Sequence, residues 1–160
     1  MSDVRIRKQP ATNSAEKAVQ PKRLGEPKPF ASNDAVLEAA LRMFAARQRV
    51  ASLKSDKPEL KSRAISAAES AKLEWKEYWH SCWAMTSKEI PLHSALQEHS
   101  LSRTELEVVL ALLLSEMALT PCKISDCEDL IRFLYPSPQE SLEIIRSLSP
   151  EGCLVTGELV

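Results

Sequence analysis

The sequence predicts a mainly α fold: a long antiparallel helical hairpin followed by a winged-helix-like unit of three helices and a small β-hairpin. Apolar residues recur at three- and four-residue spacings from Val36 to Trp83, and no glycine interrupts them. Serine and proline helix-start signals then stand ahead of each leucine- or isoleucine-rich run between residues 101 and 148. At the end, Cys153, Leu154 and Val155, then Thr156 and Gly157, then Glu158, Leu159 and Val160 have the pattern of two short strands about a turn.

Residues 1–31 mix Pro10, Pro21, Pro27 and Pro29 with Lys, Arg, Gln and Ser and show no apolar period. Such a segment buries too little surface to offset its ordering entropy, so a disordered basic tail is expected. Order begins where Ser32, Asn33 and Asp34 precede the stripe Val36, Leu37, Ala40, Leu41 and Phe44. Pro58 and Glu59 are expected to open the second helix, because proline tolerates the first helical turn and an acid there favours the dipole. Its inward face should comprise Leu60, Ala64, Ala67, Ala68, Ala71, Trp75, Tyr78, Trp79, Cys82 and Trp83. These helices make the hairpin of residues 32–88. Between its aromatic positions, Lys72, Glu74, Lys76 and Glu77 read as a solvated surface.

The remaining unit covers residues 89–160. Ile90 and Pro91 lead into a short helix with Leu92 and Leu96. Ser102 and Glu105 form a capping box for a helix through Leu106, Val108, Val109, Leu110, Leu112, Leu113, Leu114 and Met117, apolar nearly all round and therefore the expected core helix. Ser125 is expected to cap a helix through Leu130 and Phe133 that stops at Pro136. Ser137, with Pro138 at the first turn, caps another whose Leu142, Ile144, Ile145 and Leu148 are expected inside. Three helices and a hairpin follow the order of a winged helix-turn-helix.

Composition bounds the function. The 160 residues, 44% hydrophobic, suffice for one modest domain. The N-terminus has no apolar core of signal-peptide length, so a cytoplasmic protein is expected, and the run Val108 to Leu114 is too short to cross a membrane. Cys82, Cys122, Cys127 and Cys153 match no disulfide framework and read as reduced thiols, most of them buried. Only Gly25, Gly152 and Gly157 are present, which excludes a glycine-rich phosphate loop. His80, His93 and His99 have no zinc-ligand spacing and are expected at the surface. No catalytic, cofactor or metal residue is assigned.

Charge argues against DNA. Residues 1–30 hold seven bases and three acids, whereas residues 101–160 hold four bases and ten acids. The helix that would enter a groove carries Arg146 as its one base beside Glu140 and Glu143, and groove helices need cations and donors. Trp75, Trp79 and Trp83 share a helical face and belong either to the core or to a partner surface; with Glu140, Glu143 and Arg146 they are the candidate contact residues.

Leu101 to Met117 and Cys127 to Val160 resemble a segment that precedes the ATPase core of certain bacterial AAA-family ATPases. The likeness rests on the capped leucine-rich helix, on Leu134, Tyr135, Pro136 and Ser137, and on Leu148, Ser149, Pro150, Glu151, Gly152, Leu154, Leu159 and Val160. It implies a module that lies before the catalytic machinery, and no nucleotide-binding residue of the family maps onto this sequence. The expectation is therefore a non-enzymatic regulatory or adaptor module that contacts a protein partner or an attached ATPase core, without cofactor. Two alternatives are a DNA-associated regulator whose basic tail supplies the charge, and a homo-oligomer built on the hairpin.

Overall fold

A computed structural model describes residues 24–55, 62–121 and 123–156. Expectations about residues 1–23, about Leu60 and the opening of the second helix at Pro58, and about Cys122 and residues 157–160 lie outside the described residues. The side chains of Ser55, Cys153 and Thr156 do too.

The chain is α-helical, with no strand among the described residues. Leu24 to Ala31 has no regular structure, yet Phe30 ties it down: its amide donates to Thr86 Oγ1 at 3.0 Å and its ring lies 5.9 Å from that of Trp79. Helix α1, Asn33–Ser55, is capped by Ser32, whose hydroxyl accepts from Ala35 N at 3.2 Å. Helix α2, Ser62–Met85, runs antiparallel to it, because Trp79 Nε1 donates to Val36 O at one end while Lys54 and Glu69 pair at the other. The inward face of α2 is narrower than expected: Ala64 and Ala67 are exposed, and Ala68, Trp79 and Cys82 are buried.

Helix α3, Pro91–Gln97, docks on the start of α1 through Leu92 N and Asn33 Oδ1 at 3.1 Å. Helix α4, Arg103–Glu116, begins at the expected capping box of Ser102 and Glu105 and supplies the centre of the core with Val108, Leu110, Ala111 and Leu114. Its C-terminus closes in a Schellman arrangement, with Leu119 N bonded to Leu114 O and Ala118 N to Ser115 O. That motif puts Ala118 at φ 55°, a left-handed position that glycine usually fills. Met117, expected among the core residues, is exposed there.

Helix α5, Cys127–Leu134, is capped by Asp126, not Ser125: the Asp126 carboxylate accepts from Asp129 N, and Asp129 in turn accepts from Ser125 N. Helix α6, Pro138–Ser147, starts at the expected Ser137 cap, and Glu140 completes it as a capping box. Where the first strand was expected, Cys153–Thr156 forms a helical turn, α7, packed on α6. Gly152 permits that approach, since a Cβ there would lie 2.2 Å from Ser147 O and 2.4 Å from Arg146 O. Leu154 then enters the interior as a helical side chain. One continuous core joins Val36, Phe44 and Trp79 of the hairpin to Leu110, Phe133, Ile144 and Leu154.

Candidate functional site

Two places depart from the rule that charge lies outside and large aliphatics inside. The first is a buried carboxylate, Glu107 on α4, on which α1 and α2 converge. Arg47 of α1 donates from Nη2 to Glu107 Oε2, and its Nη1 donates to Leu134 O at 3.2 Å. His80 Nε2 of α2 lies 2.8 Å from Glu107 Oε1; an ionised carboxylate only accepts, so Nε2 carries the proton. Lys76, one turn earlier, has its ammonium 3.9 Å from the same oxygen and also donates to Glu140 of α6.

Burial by itself would raise the Glu107 carboxyl above the usual range. The His80 hydrogen bond and the charges of Arg47 and Lys76 overcome it and hold the group below that range. Glu140 behaves alike: burial opposes ionisation, but Lys76 and the capping hydrogen bonds at Ser137 bring its pKa down to about 2. Glu107 and Arg47 side chains are each about 2% exposed, so this cluster locks helices together and meets no external reactant.

Around it, the hairpin satisfies the end of α5. Gln48 donates to Arg132 O at 3.3 Å and also to Phe133 O; Arg47 takes Leu134 O; Lys72 donates to Tyr135 O at 3.1 Å. The last carbonyls of a helix have no intrahelical partner and carry partial negative charge, so two cations suit them. Lys72 and Lys76 thus turn inward instead of lying in the expected solvated surface, while Glu74 and Glu77 remain exposed. Sequence reasoning passed over Arg47 and Glu107. The available signal was positional: Arg47 continues the apolar stripe three residues after Phe44, and Glu107 interrupts the most hydrophobic helix.

Two histidines expected at the surface are buried. His80 joins the cluster, and the His93 ring packs at a tilt of 57° against Trp83, 4.5 Å between centroids, with Nε2 3.1 Å from Trp83 O. His99 is exposed, Cys82 is buried and Cys127 exposed. Among the described residues no group of three His, Cys, Asp or Glu could hold a metal ion, and no helix is long and apolar enough to cross a membrane.

The three tryptophans divide between interior and edge. Trp79 is fully buried and stacks on Trp83 at 5.2 Å, while Trp75 and Trp83 are half-buried. Trp75 and Tyr78 wall a cleft of about 430 Å³ between the hairpin and the segment Leu24 to Phe30. Glu140 is held by Lys76, and Glu143 accepts from Ser102 Oγ at 3.0 Å and Thr104 Oγ1 at 2.8 Å, so both acids point towards neighbouring helices.

The second departure is the outer face of α6. Leu142 and Ile145, expected inside, are 58% and 50% exposed, and Arg146 beside them is exposed without an ion pair among the described residues. Only Ile144 and the half-buried Leu148 turn inward from that run. Leu73 of α2, 60% exposed, lines a separate cleft whose other residues are polar, Gln139 and Glu143 among them. Comparisons with protein-family models, with curated proteins and with solved structures find no match to this chain.

Proposed function

We propose that the chain is a non-enzymatic regulatory or adaptor module that works by contacting proteins. The observation that carries this reading is the outer face of α6, where Leu142 and Ile145 stand in water. Large aliphatic side chains grouped at a surface gain free energy when a partner covers them. DNA recognition needs the reverse, cations for phosphates and donors for base edges, and this face offers Arg146 alone.

The succession of α4, α5 and α6, with their caps at Ser102, Asp126 and Ser137, supports a helix-turn-helix-like order for this unit. The resemblance of residues 101–160 to the region before an AAA-family ATPase core suggests such a core, or a protein working with one, as the partner. The rival reading is a DNA-associated regulator that relies on the seven bases of residues 1–30.

A duplex titration of the whole chain, and of a version starting at Ser32, separates the two at low and physiological salt. Neither protein is expected to bind at physiological salt, because phosphate contacts weaken steeply as counterions compete. Comparable binding by both at physiological salt would overturn the protein-contact reading. Binding that depends on residues 1–31 would favour the rival.

A further inference from the structure

We infer that the outer face of α6 pairs with the same face of a second copy of this chain, the two helices antiparallel about a two-fold axis. The inference rests on the protein-contact reading above and assigns this one face to a second copy, apart from any contact with an ATPase core.

Leu142 and Ile145 are three residues apart and so lie on one face of α6. An antiparallel pair whose two-fold axis passes between them sets each Leu142 against the partner copy's Ile145, and each Ile145 against its Leu142. That reciprocity is what a two-fold interface requires: if one residue meets another, the second must meet the first. Pro138 and Ser141 border the apolar pair and add no charge that would have to be desolvated.

Charge agrees with this pairing. Glu140, the acid that would repel its own copy, is withdrawn towards α2 and neutralised by Lys76. What remains on the rim is Arg146, exposed, and Glu143, half-buried, with neither in an ion pair among the described residues. Under the two-fold operation the flank bearing Arg146 meets the flank bearing Gln139 and Glu143 of the second copy, so the guanidinium gains the Gln139 amide oxygen as an acceptor and the nearby negative charge of Glu143, whose oxygens stay with Ser102 and Thr104. Two large apolar side chains per copy, with Pro138 beside them, make less than the ~800 Å² per partner of a standard interface, so the dimer should be weak and reversible.

Sedimentation velocity of the whole chain tests this across roughly 1 to 500 micromolar, the range in which an interface of that size dissociates. The expected result is a weight-average mass rising from one chain towards two. Leu142→Asp with Ile145→Asp should hold the protein at one chain throughout, with an unchanged circular dichroism spectrum. Register is tested by charge: Leu142→Lys and Ile145→Glu chains should each stay single, and a mixture of the two should recover the heavier species, because only the mixed pair sets lysine against glutamate. A single-chain mass for the wild type at the highest concentration would overturn the inference, as would a dimer indifferent to the double Asp change. Either result leaves the DNA titration to judge the protein-contact reading separately.

Discussion

Glu107 and Leu142 lie on helices packed against each other, and each occupies the environment that suits the other's chemistry. Glu107 is a carboxylate in the interior, and Leu142 is an aliphatic side chain in water. The difference lies in what surrounds them. Glu107 is met by Arg47, His80 and Lys76 within the chain, so its charge is compensated without any partner. Leu142 remains 58% exposed among the described residues, so a covering surface would take it out of water. A buried misfit answered internally serves architecture, and an exposed one left unanswered is the better guide to contact.

The largest effect that would sharpen this contrast comes from Glu107→Ala. Removing the carboxylate leaves Arg47 buried and uncompensated, and a broken buried pair costs about 3–5 kcal/mol. Urea unfolding should show that loss. Arg47→Met combined with Glu107→Leu should lose much less than the sum of the single changes, since no charge is then stranded. Losses from the two single changes that simply add would show that the residues do not act as a pair.

Acid should act on the same cluster, more gradually. Both Glu107 and Glu140 have folded pKa values below the ordinary carboxylate range, Glu140 near 2. A depressed folded value means that the contribution is complete above the unfolded pKa, about 4.3 for glutamate, and is lost as pH falls towards the folded value. Thermal midpoints should therefore be level above about pH 5 and decline from there towards pH 2. Glu140→Gln should flatten part of that decline, and an unaltered acid profile in this variant would remove Glu140 from the account.

The smallest effect belongs to the other side of the comparison. Leu142→Ser with Ile145→Ser should change the unfolding free energy of the single chain by no more than about 0.5 kcal/mol, as exposed substitutions do. A loss of 2 kcal/mol or more, the scale of a deleted core aliphatic, would mean that the two side chains are packed within the chain, and the contrast with Glu107 would collapse.

What could be read from sequence was mostly local. The Ser102 box with Glu105 and the Ser137 cap are set within four residues, and both form, the second with Glu140 closing a box that sequence reasoning passed over. Hairpin pairing followed from two long apolar stripes, and the central place of α4 from its composition. Facing was harder in α6, because Leu142, Ile144, Ile145 and Leu148 are all aliphatic and leave the inward side undetermined by period. Cys153, Leu154 and Val155 have strand-like chemistry, yet the close approach of Gly152 to the Arg146 and Ser147 carbonyls carries them into a helical turn on α6. Tertiary contact there overrides local preference. The Glu107 cluster was least legible, since Arg47 and Glu107 are separated by sixty positions and nothing local announces that a charge on a core stripe has found its counterion.

The order in which these groups are made gives the cluster a temporal side. Synthesis proceeds from the N-terminus, so Arg47, Lys76 and His80 emerge before Glu107, and Glu140 follows later still. Until α4 has left the ribosome, Arg47 has no carboxylate with which to enter an interior, and sealing it in alone is unfavourable by several kcal/mol. Arg47 meets its carboxylate only where α4 is in place, so burial of that guanidinium and docking of α4 on the hairpin are a single event.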